Sequence, residues 1–468
     1  MQVPILNGVY ANTKSDFRTS YPRNMIPVPK IQGISQGYLR PADGIELFTD
    51  TGIGFDRGGI NWKGSCYRVS GQQLVKIDEF ANTTVIGYVG GSGQVTLDYS
   101  FDKLAIASGG SLYYYDGSSS LSKVTDADLG YVKDVVWVDG YFMTTDGTSI
   151  VVTELNDPMS VNPLKYGSSE SDPDNVIGLL KLRNEIYVLN RHTIEVFQNV
   201  GGEFFPFERV EGAMIQRGAI GTFAAAVFLE NIAFVGGGRN ESPAVWIGSN
   251  SSSAKISTRE IDQVLASYTE EQLTDTVVEV RVSDGHQFLY VHLPDGCWVY
   301  DGMASQIVEE PVWFNLTSGV GTTGQYRAKN FVWCYDRWIC GDPTSSKVGL
   351  LTPTSSHHYG EKNSWEFSTA LVYNNGFGAI VHQLELVAIT GNVPLGVDPV
   401  VTTSHSVDGM TWSLERPVKA GKIGERTKRL VWFQQGHFQH WRSQRFRGTS
   451  DCHISVARLE LQVEPLNV

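Results

Sequence analysis

The sequence lacks both a long apolar stretch and the features of a secretion signal. Among its 468 residues no run of about 18 apolar residues occurs, so we expect no membrane insertion. The first residues, MQVPILNG, have no basic segment followed by an apolar one, so we expect no signal peptide. Cysteine is scarce and odd in number, which argues against a disulfide framework and predicts buried thiols in a chain made in a reducing cytoplasm. The cysteines are Cys66, Cys297, Cys334, Cys340 and Cys452.

Signatures of catalysis and of metal binding are also missing. There is no Gly-x-Ser-x-Gly elbow, phosphate-binding loop or dinucleotide-binding fingerprint. Carboxylates are spread too evenly to suggest a glycosidase pair, and the histidines lack a spacing specific for zinc. The turn at 406–412 resembles an Asp-box hairpin, which we interpret as structural. We therefore predict no catalytic residue, no cofactor and no metal site.

Acidic residues outnumber basic ones, at 50 against 37, for a net charge of −13. A protein that coats nucleic acid must neutralise phosphates with many cations, so this balance excludes that class of protein. Residues 419–447 are the exception, because they hold eight Lys or Arg and a single acid, Glu425. This segment therefore carries +7 and the remaining chain −20.

The basic segment also contains aromatic residues, a combination typical of protein interfaces and of single-strand nucleic-acid grooves. Three interpretations remain open: a solvated loop between strands, a contact with another protein, and a contact with DNA. We favour a protein contact. The candidate interface residues are Lys419, Lys422, Arg426, Lys428, Arg429, Trp432, Trp441, Arg442, Arg445 and Arg447.

A strand–turn–strand unit recurs through most of the chain. Its turns are marked by Asp102, Asp139, Asn184, Asn231, Asp284 and Asp336, which lie 37 to 53 residues apart. This period is typical of one four-stranded blade of a β-propeller. We predict six blades stacked face to face, with large aromatic residues filling the gaps between them. A further hairpin at 66–77 either closes the ring or begins a seventh blade.

The ends of the chain differ from this repeat. Residues 1–60 predict an extended arm that packs on the body or on a neighbouring subunit and adds little core. Residues 61–357 form the predicted propeller, with a helical insert at 257–276 that contains two capping boxes, Ser257 with Glu260 and Thr269 with Gln272. The longer alternating strands of residues 358–468 predict a C-terminal antiparallel β-sandwich.

Short strings in the chain resemble the tail accessory proteins of short-tailed bacteriophages, the packaged-DNA stabilisation proteins that form the tail nozzle. Each string is short, but their order along residues 24–342 is fairly specific. The strings are Asn24-Met25 with Pro29-Lys30, Gly37-Tyr38-Leu39-Arg40, Tyr67-Arg68-Val69, Gln216-Arg217-Gly218 with Gly221-Thr222, Ser267-Tyr268-Thr269, His292-Leu293-Pro294, Val299-Tyr300-Asp301 and Cys340-Gly341-Asp342.

This resemblance implies a non-enzymatic virion component that takes part in head–tail completion. Six copies would form a nozzle below the portal and its adaptor, extend the DNA channel and help to retain packaged DNA. A tail needle or plug and the tailspikes would be its other partners, and genomic DNA would pass without sequence-specific binding. The alternatives are a propeller glycosidase or lyase, which needs acids and arginines at one end of the propeller axis, and a carbohydrate-binding adhesin.

Overall fold

The computed structural model describes residues 1–14, 16–30, 36–118, 121–155, 157–169 and 172–466. Antiparallel strands dominate this part of the chain, and its helices are short: α1 (Arg259–Ala266), α2 (Glu270–Thr274), α3 (Gly302–Val308) and one 3₁₀ turn (Ala127–Leu129). None of the described helices is long and apolar enough to cross a membrane.

Seven sheets follow one another in the described chain and form a closed ring. The innermost strand of each sheet contacts that of the next, and the last contacts the first, so the ring is a seven-bladed propeller. From the axis outward the strands are, in blade 1, Asp56–Trp62, Ser65–Ser70, Gln73–Ile77 and Thr83–Tyr88; in blade 2, Thr96–Tyr99, Leu104–Ser108, Ser111–Tyr115 and Ser122–Lys123; in blade 3, Asp134–Val138, Tyr141–Thr145, Ser149–Glu154 and Asp157–Ser168; in blade 4, Val176–Leu182, Glu185–Asn190, Ile194–Asn199 and Phe207–Ile215. They continue, in blade 5, with Gly218–Ala219 and Ala225–Phe228, Asn231–Gly237, Ala244–Ser249 and Ser252–Lys255; in blade 6, with Val277–Ser283, His286–Leu293, Gly296–Asp301 and Trp313–Leu316; and in blade 7, with Lys329–Cys334, Arg337–Gly341, Lys347–Thr352 and Gly44–Asp50.

The propeller thus has one blade more than the six favoured from the sequence. The hairpin at 66–77 belongs to a complete blade 1, and the ring is closed by Gly44–Asp50 instead. Blade 1 has no Asp or Asn at its first turn. Lys63 and Gly64 make that turn with φ of 49° and 73°, so it carried a different residue signature from the six markers.

Hydrophobic cores lie between neighbouring blades, as predicted. Each of the seven gaps in the described ring holds its own cluster of buried apolar side chains. Between blades 2 and 3, for example, the rings of Tyr114 and Phe142 pack with their centroids 5.0 Å apart. Each blade therefore depends on both neighbours to bury its two faces, and an open ring would leave two faces exposed.

Polar contacts reinforce the place where the last blade meets the first. Arg68 of blade 1 forms a two-point ion pair with Asp56, at 2.7 and 2.8 Å, and also donates to the carbonyl of Asn330 in blade 7 at 3.0 Å. The Asn330 amide donates back to Asp56 at 2.6 Å. A side chain at Gly341 would collide with Asp56, so this position requires glycine. All members of this cluster are buried.

A β-sandwich of two sheets packs beside blades 6 and 7. In sheet one the strand order is Met25–Pro29, Gly37–Pro41, Ser455–Pro465, Ala379–Ile389 and Leu430–Phe433, with Gln2–Val3 beside Ser455–Pro465 and His437–Phe438 beside Ala379–Ile389. In sheet two the order is Ser364–Ser368, Trp441–Thr449, Val400–Ser406 and Arg416–Lys419, with Val372–Tyr373 beside Trp441–Thr449. A separate hairpin of Gly8–Ala11 and Phe17–Ser20, called here the N-terminal hairpin, contacts sheet two.

The N-terminal segment is built into the body, so the expectation that it adds little core is wrong. Val3, Ile5, Met25 and Leu39 are buried in the core of the sandwich. The segment contributes strands to sheet one and the closing strand to blade 7. A part of the chain predicted as an arm therefore connects the two domains.

Three consecutive residues, Pro22 to Asn24, join the propeller to the sandwich. On one side their backbone pairs with Asn315 of blade 6, and on the other Arg23 pairs with Glu366 of sheet two. The Asn24 side chain donates to the carbonyls of Thr317 at 3.0 Å and Ser364 at 2.7 Å. Asn24 has a φ of 55°, a conformation that asparagine tolerates better than most residues.

The helices α1 and α2 form the insert predicted at 257–276, between blades 5 and 6. The predicted capping box of Thr269 and Gln272 is confirmed at α2. The capping box predicted for Ser257 and Glu260 is wrong, because Thr258 is the N-cap residue of α1. Ser257 lies one residue before this N-cap residue and donates to Asp262 at 2.6 Å. Helix α3 was not predicted.

We expect Asp56→Ala to destabilise the protein by about 3–5 kcal/mol, because it leaves the buried guanidinium of Arg68 unpaired. Denaturant unfolding followed by tryptophan fluorescence measures this loss. Asp102→Ala, in an exposed turn of blade 2, is the matched control and should change stability by about 0.5 kcal/mol or less. Equal losses for the two variants would refute the role of the ion pair.

A second prediction concerns pH. His358 is buried at the junction of the domains, where its ring forms hydrogen bonds with Ser318 at 2.7 Å and Asn363 at 3.1 Å. Burial lowers its pKa from 6.5 to about 3. The unfolded chain therefore binds a proton that the folded chain rejects, so stability is lost as the pH falls from about 6.5 towards 3. The unfolding midpoint of His358→Gln should fall less over this range. His382→Gln, which replaces an exposed histidine, is the control substitution.

Candidate interface on the C-terminal domain

Five of the ten candidate residues gather at one corner of the sandwich. Lys419 ends the strand Arg416–Lys419, and the other four lie on the connection from this strand to Leu430–Phe433, which crosses from sheet two to sheet one. This connection packs on a second loop: Thr390 donates to the carbonyl of Glu425 at 3.0 Å, and Gly424 donates to that of Gly391 at 3.1 Å. We call residues 389–399 and 419–429 together the tip.

The cations of the tip are partly neutralised. Lys419 pairs with Asp398 at 2.7 Å and Arg429 with Glu385 at 2.7 Å, and the hydrogen bond from Lys419 lowers the pKa of Asp398. The other three have exposed side chains and no ion-pair partner in the described chain. They are Lys422, Arg426 and Lys428.

Exposed apolar side chains stand among these charges. Leu395 is 86% exposed, Ile389 67% and Ile423 54%. Apolar side chains surrounded by cations on a well-packed loop pair are typical of a surface that binds another protein.

The remaining arginines lie on the strand Trp441–Thr449 and are already engaged within the chain. Arg447 pairs with Glu366 at 2.9 Å and with Glu415 at 2.8 Å. Arg445 stacks on Trp412, 4.3 Å from the ring centroid, and donates to Ser404. Their charges are therefore largely satisfied inside the protein.

Two predicted residues do not belong to the surface. Trp432 is 2% exposed and packs in the sandwich core, where its indole donates to the carbonyl of Arg416. Arg442 is 0% exposed, donates to Gln435 at 2.6 Å and to Gln444 at 3.1 Å, and has no carboxylate partner in the described chain. Burial, with Arg416 nearby, lowers its pKa to about 10. The linear pattern of cations and aromatics did not distinguish inward from outward side chains.

Trp441 is half-buried against the N-terminal hairpin, 5.9 Å from the ring of Phe17. The Asp-box turn at 406–412 holds the same end of this hairpin, since Ala11, which pairs with Phe17, donates to the Gly409 carbonyl at 3.0 Å. Asp408 accepts from the backbone of Met410 and Thr411 within that turn. The turn is structural, as predicted, and the hairpin covers part of the predicted patch.

A second surface was missed by sequence reasoning. It lies on the outer edge of blades 3 and 4, where Gly167 abuts Phe205, and we call it the far rim. Leu164 is 61% exposed and Tyr166 58%. The far rim consists of these two with exposed Val200 and Phe204, and of Glu203, Glu208 and Glu211.

The acids of the far rim have exposed side chains and no ion-pair partner in the described part of the chain. Their signal in the sequence was the closeness of three Glu to exposed apolar residues around one turn. Acids are common throughout the chain, so this grouping does not stand out in the sequence.

A propeller enzyme would need acids and arginines at one end of the propeller axis. A cavity of about 470 Å³ opens there beside Asp56 and Arg57. Asp56 is held by Arg68, and Arg57 donates to the carbonyls of Gly71, Gly90 and Gly93 and to Ser108. These side chains are engaged in holding the blades together.

The thiol prediction is confirmed, since all five cysteines are buried and unpaired. Burial raises the pKa of Cys66 to about 11 and that of Cys340 to about 12, so these thiols stay protonated at neutral pH. Among the described residues no three His, Cys, Asp or Glu side chains are grouped as metal ligands.

Known proteins resemble this chain over its whole length. The family model described as bacteriophage P22 Gp10, beta-propeller, matches residues 1–356, and that described as bacteriophage P22 Gp10, beta-sandwich, matches residues 364–464. The tail hub protein gp10 of Salmonella phage P22 is 28% identical over 484 aligned residues, which cover 99% of each chain. The predicted fold class, a propeller followed by a sandwich, is confirmed.

Solved structures share only a partial likeness. The N-terminal domain of Nup159 is 9% identical and covers 66% of this chain and 95% of its own, with a TM-score of 0.42. The Pan2 WD40 domain of Neurospora crassa is 9% identical and covers 68% of this chain and 98% of its own, also with a TM-score of 0.42. Likenesses this weak carry no argument about function.

We expect Arg442→Glu to destabilise the sandwich by about 3 kcal/mol or more, because it places a carboxylate among buried acceptors. Arg426→Glu, at the exposed tip, should change stability by about 0.5 kcal/mol or less. Thermal and denaturant unfolding of the two variants tests this difference. An Arg442→Glu protein as stable as the original would contradict the burial of this residue.

Proposed function

We propose that this chain, which belongs to the bacteriophage P22 Gp10 family, assembles as six copies into the nozzle of a phage tail. Both domains match that family, and the P22 relative is a tail hub protein. The chain is accordingly a structural component of a phage tail and of the virion, rather than an enzyme.

The observation that best supports assembly is the tip. Three exposed cations with no ion-pair partner among the described residues lie with three exposed apolar side chains on loops that are held by hydrogen bonds to each other. Such a surface needs little ordering on contact, so a partner that covers it gains apolar burial at low entropic cost. We therefore propose the tip as a docking surface, with Lys422, Arg426 and Lys428 at its centre.

The neighbours of the nozzle follow from its place in the tail. We propose that it sits below the portal and its adaptor, is closed by the needle or plug, and carries the tailspikes at its sides. In this arrangement packaged DNA passes along the axis of the six-copy nozzle and is retained until ejection.

The acidic majority of the chain suits such a conduit. Outside residues 419–447 the chain carries −20, and walls of that sign repel phosphate and let DNA slide without sequence-specific binding. A basic wall would hold the DNA through counterion release instead.

Light scattering coupled to size-exclusion chromatography tests the assembly. The purified chain, mixed with the portal–adaptor complex of the same phage, should add as six copies. The complex without this chain and the chain without the complex are the two controls. A chain that stays monomeric in the mixture would contradict the proposal. So would a ring whose channel, seen by electron microscopy, is lined mainly by Lys and Arg.

A further inference from the structure

The tip and the far rim are complementary surfaces at opposite ends of the molecule. We infer that the tip of one copy binds the far rim of the next copy, and that this contact builds the ring. The inference rests on the proposed function and deepens it, because it identifies the two surfaces through which copies meet.

The tip lies on the side of the sandwich away from the propeller. Sheet one touches blade 6 through its edge strand Met25–Pro29. Sheet two lies beside it through Ser364, which donates to the carbonyl of Gly319 at 3.1 Å, three residues past the last strand of blade 6. The strands at the opposite edges are Leu430–Phe433 and Arg416–Lys419, and the tip connects these two. With about 4.8 Å between paired strands, at least three spacings, about 14 Å, separate the tip from the propeller contact.

The far rim lies on the side of the propeller away from the sandwich. The sandwich adjoins blade 6 at Asn315 and blade 7 at Ile45. In the seven-bladed propeller, blade 3 is three blades away from both blade 6 and blade 7, which is the greatest separation that seven blades allow. The far rim spans blade 3 and its neighbour blade 4, so the two surfaces face away from each other.

The chemistry of the two surfaces matches. The tip offers the unpaired cations Lys422, Arg426 and Lys428, and the far rim offers three carboxylates without ion-pair partners in the described chain. Each surface also exposes apolar side chains, including Leu395 on the tip and Leu164 on the rim. Bringing them together pairs opposite charges and removes apolar area from water, whereas tip against tip or rim against rim would oppose like charges.

A contact between two different surfaces is the kind that a ring requires. Head-to-tail binding leaves one free tip and one free rim on every open assembly, and a ring of copies closes when the last tip meets the first rim. A contact between the same surface on two copies uses up that surface on both, so assembly stops at a dimer. The second copy of this chain is therefore the occupant that the two surfaces fit.

Charge reversal tests the inference. The tip variant carries Lys422→Glu, Arg426→Glu and Lys428→Glu, and the rim variant carries Glu203→Lys, Glu208→Lys and Glu211→Lys. Each variant alone should associate with itself at least about tenfold more weakly than the unsubstituted chain, because its two surfaces then carry the same sign. All six side chains are exposed, so thermal unfolding should be unchanged.

The mixture of the two variants gives the decisive result. In an equal mixture the acidic tip of one variant meets the basic rim of the other, and the basic tip of the second meets the acidic rim of the first. Rings should form again, with the two variants alternating in equal numbers, as native mass spectrometry measures. The control variant Glu79→Lys, Glu271→Lys and Glu310→Lys makes the same charge change as the rim variant at exposed sites away from both surfaces, and it should assemble alone.

The outcomes separate the inference from the proposed function. If the unsubstituted chain forms rings but the charge variants do too, or if the mixture fails to rescue them, the inference is overturned and the ring stands. If the unsubstituted chain forms no ring alone or on the portal–adaptor complex, both are overturned. Should a triple variant fail to fold, the pair Arg426→Glu and Glu208→Lys repeats the test with one reversal on each surface.

Discussion

The closure of the propeller by Gly44–Asp50 is the constraint on which the rest of the structure depends. Every blade buries its faces against two neighbours, so the ring is stable only when blade 7 meets blade 1. Pairing of Gly44–Asp50 with Lys347–Thr352 completes blade 7, and the buried cluster of Asp56, Arg68 and Asn330 secures the contact with blade 1. An unclosed ring would leave apolar faces and a strand edge in water.

Closure also determines where the two ends of the chain meet. Because blade 7 combines a strand from near the beginning of the chain with strands that end at Thr352, the residues before Gly44 and those after Thr352 leave the propeller at the same place. Both groups enter the sandwich, which explains why Val3 and Met25 share a core with Trp365. The two domains are consequently joined through several strands and through the hydrogen bonds of Asn24.

Charges in this protein have two separate uses. Buried charges such as Arg68 and Arg442 hold the fold, and removing a partner there costs stability. Exposed charges such as Arg426 and Glu208 leave stability nearly unchanged and act through contact with another molecule. The basic segment 419–447 contains both kinds within 29 residues, so only part of its charge of +7 is accessible to a binding partner. Among the described residues of this segment, exposed cations without an ion-pair partner lie only at the tip.

Features that depend on a few neighbouring residues were determined by the sequence itself: the strand–turn–strand repeat, the sandwich, the capping box of Thr269 and Gln272, and the buried thiols. Five of the ten candidate interface residues lie together at the tip, and their binding role is a proposal. Tertiary structure alone decided the seventh blade, the closing strand, the place of residues 1–43 and the inward direction of Arg442 and Trp432. The physical reason is range: turns and caps form between adjacent residues, whereas strand partners and burial depend on contacts between residues hundreds of positions apart.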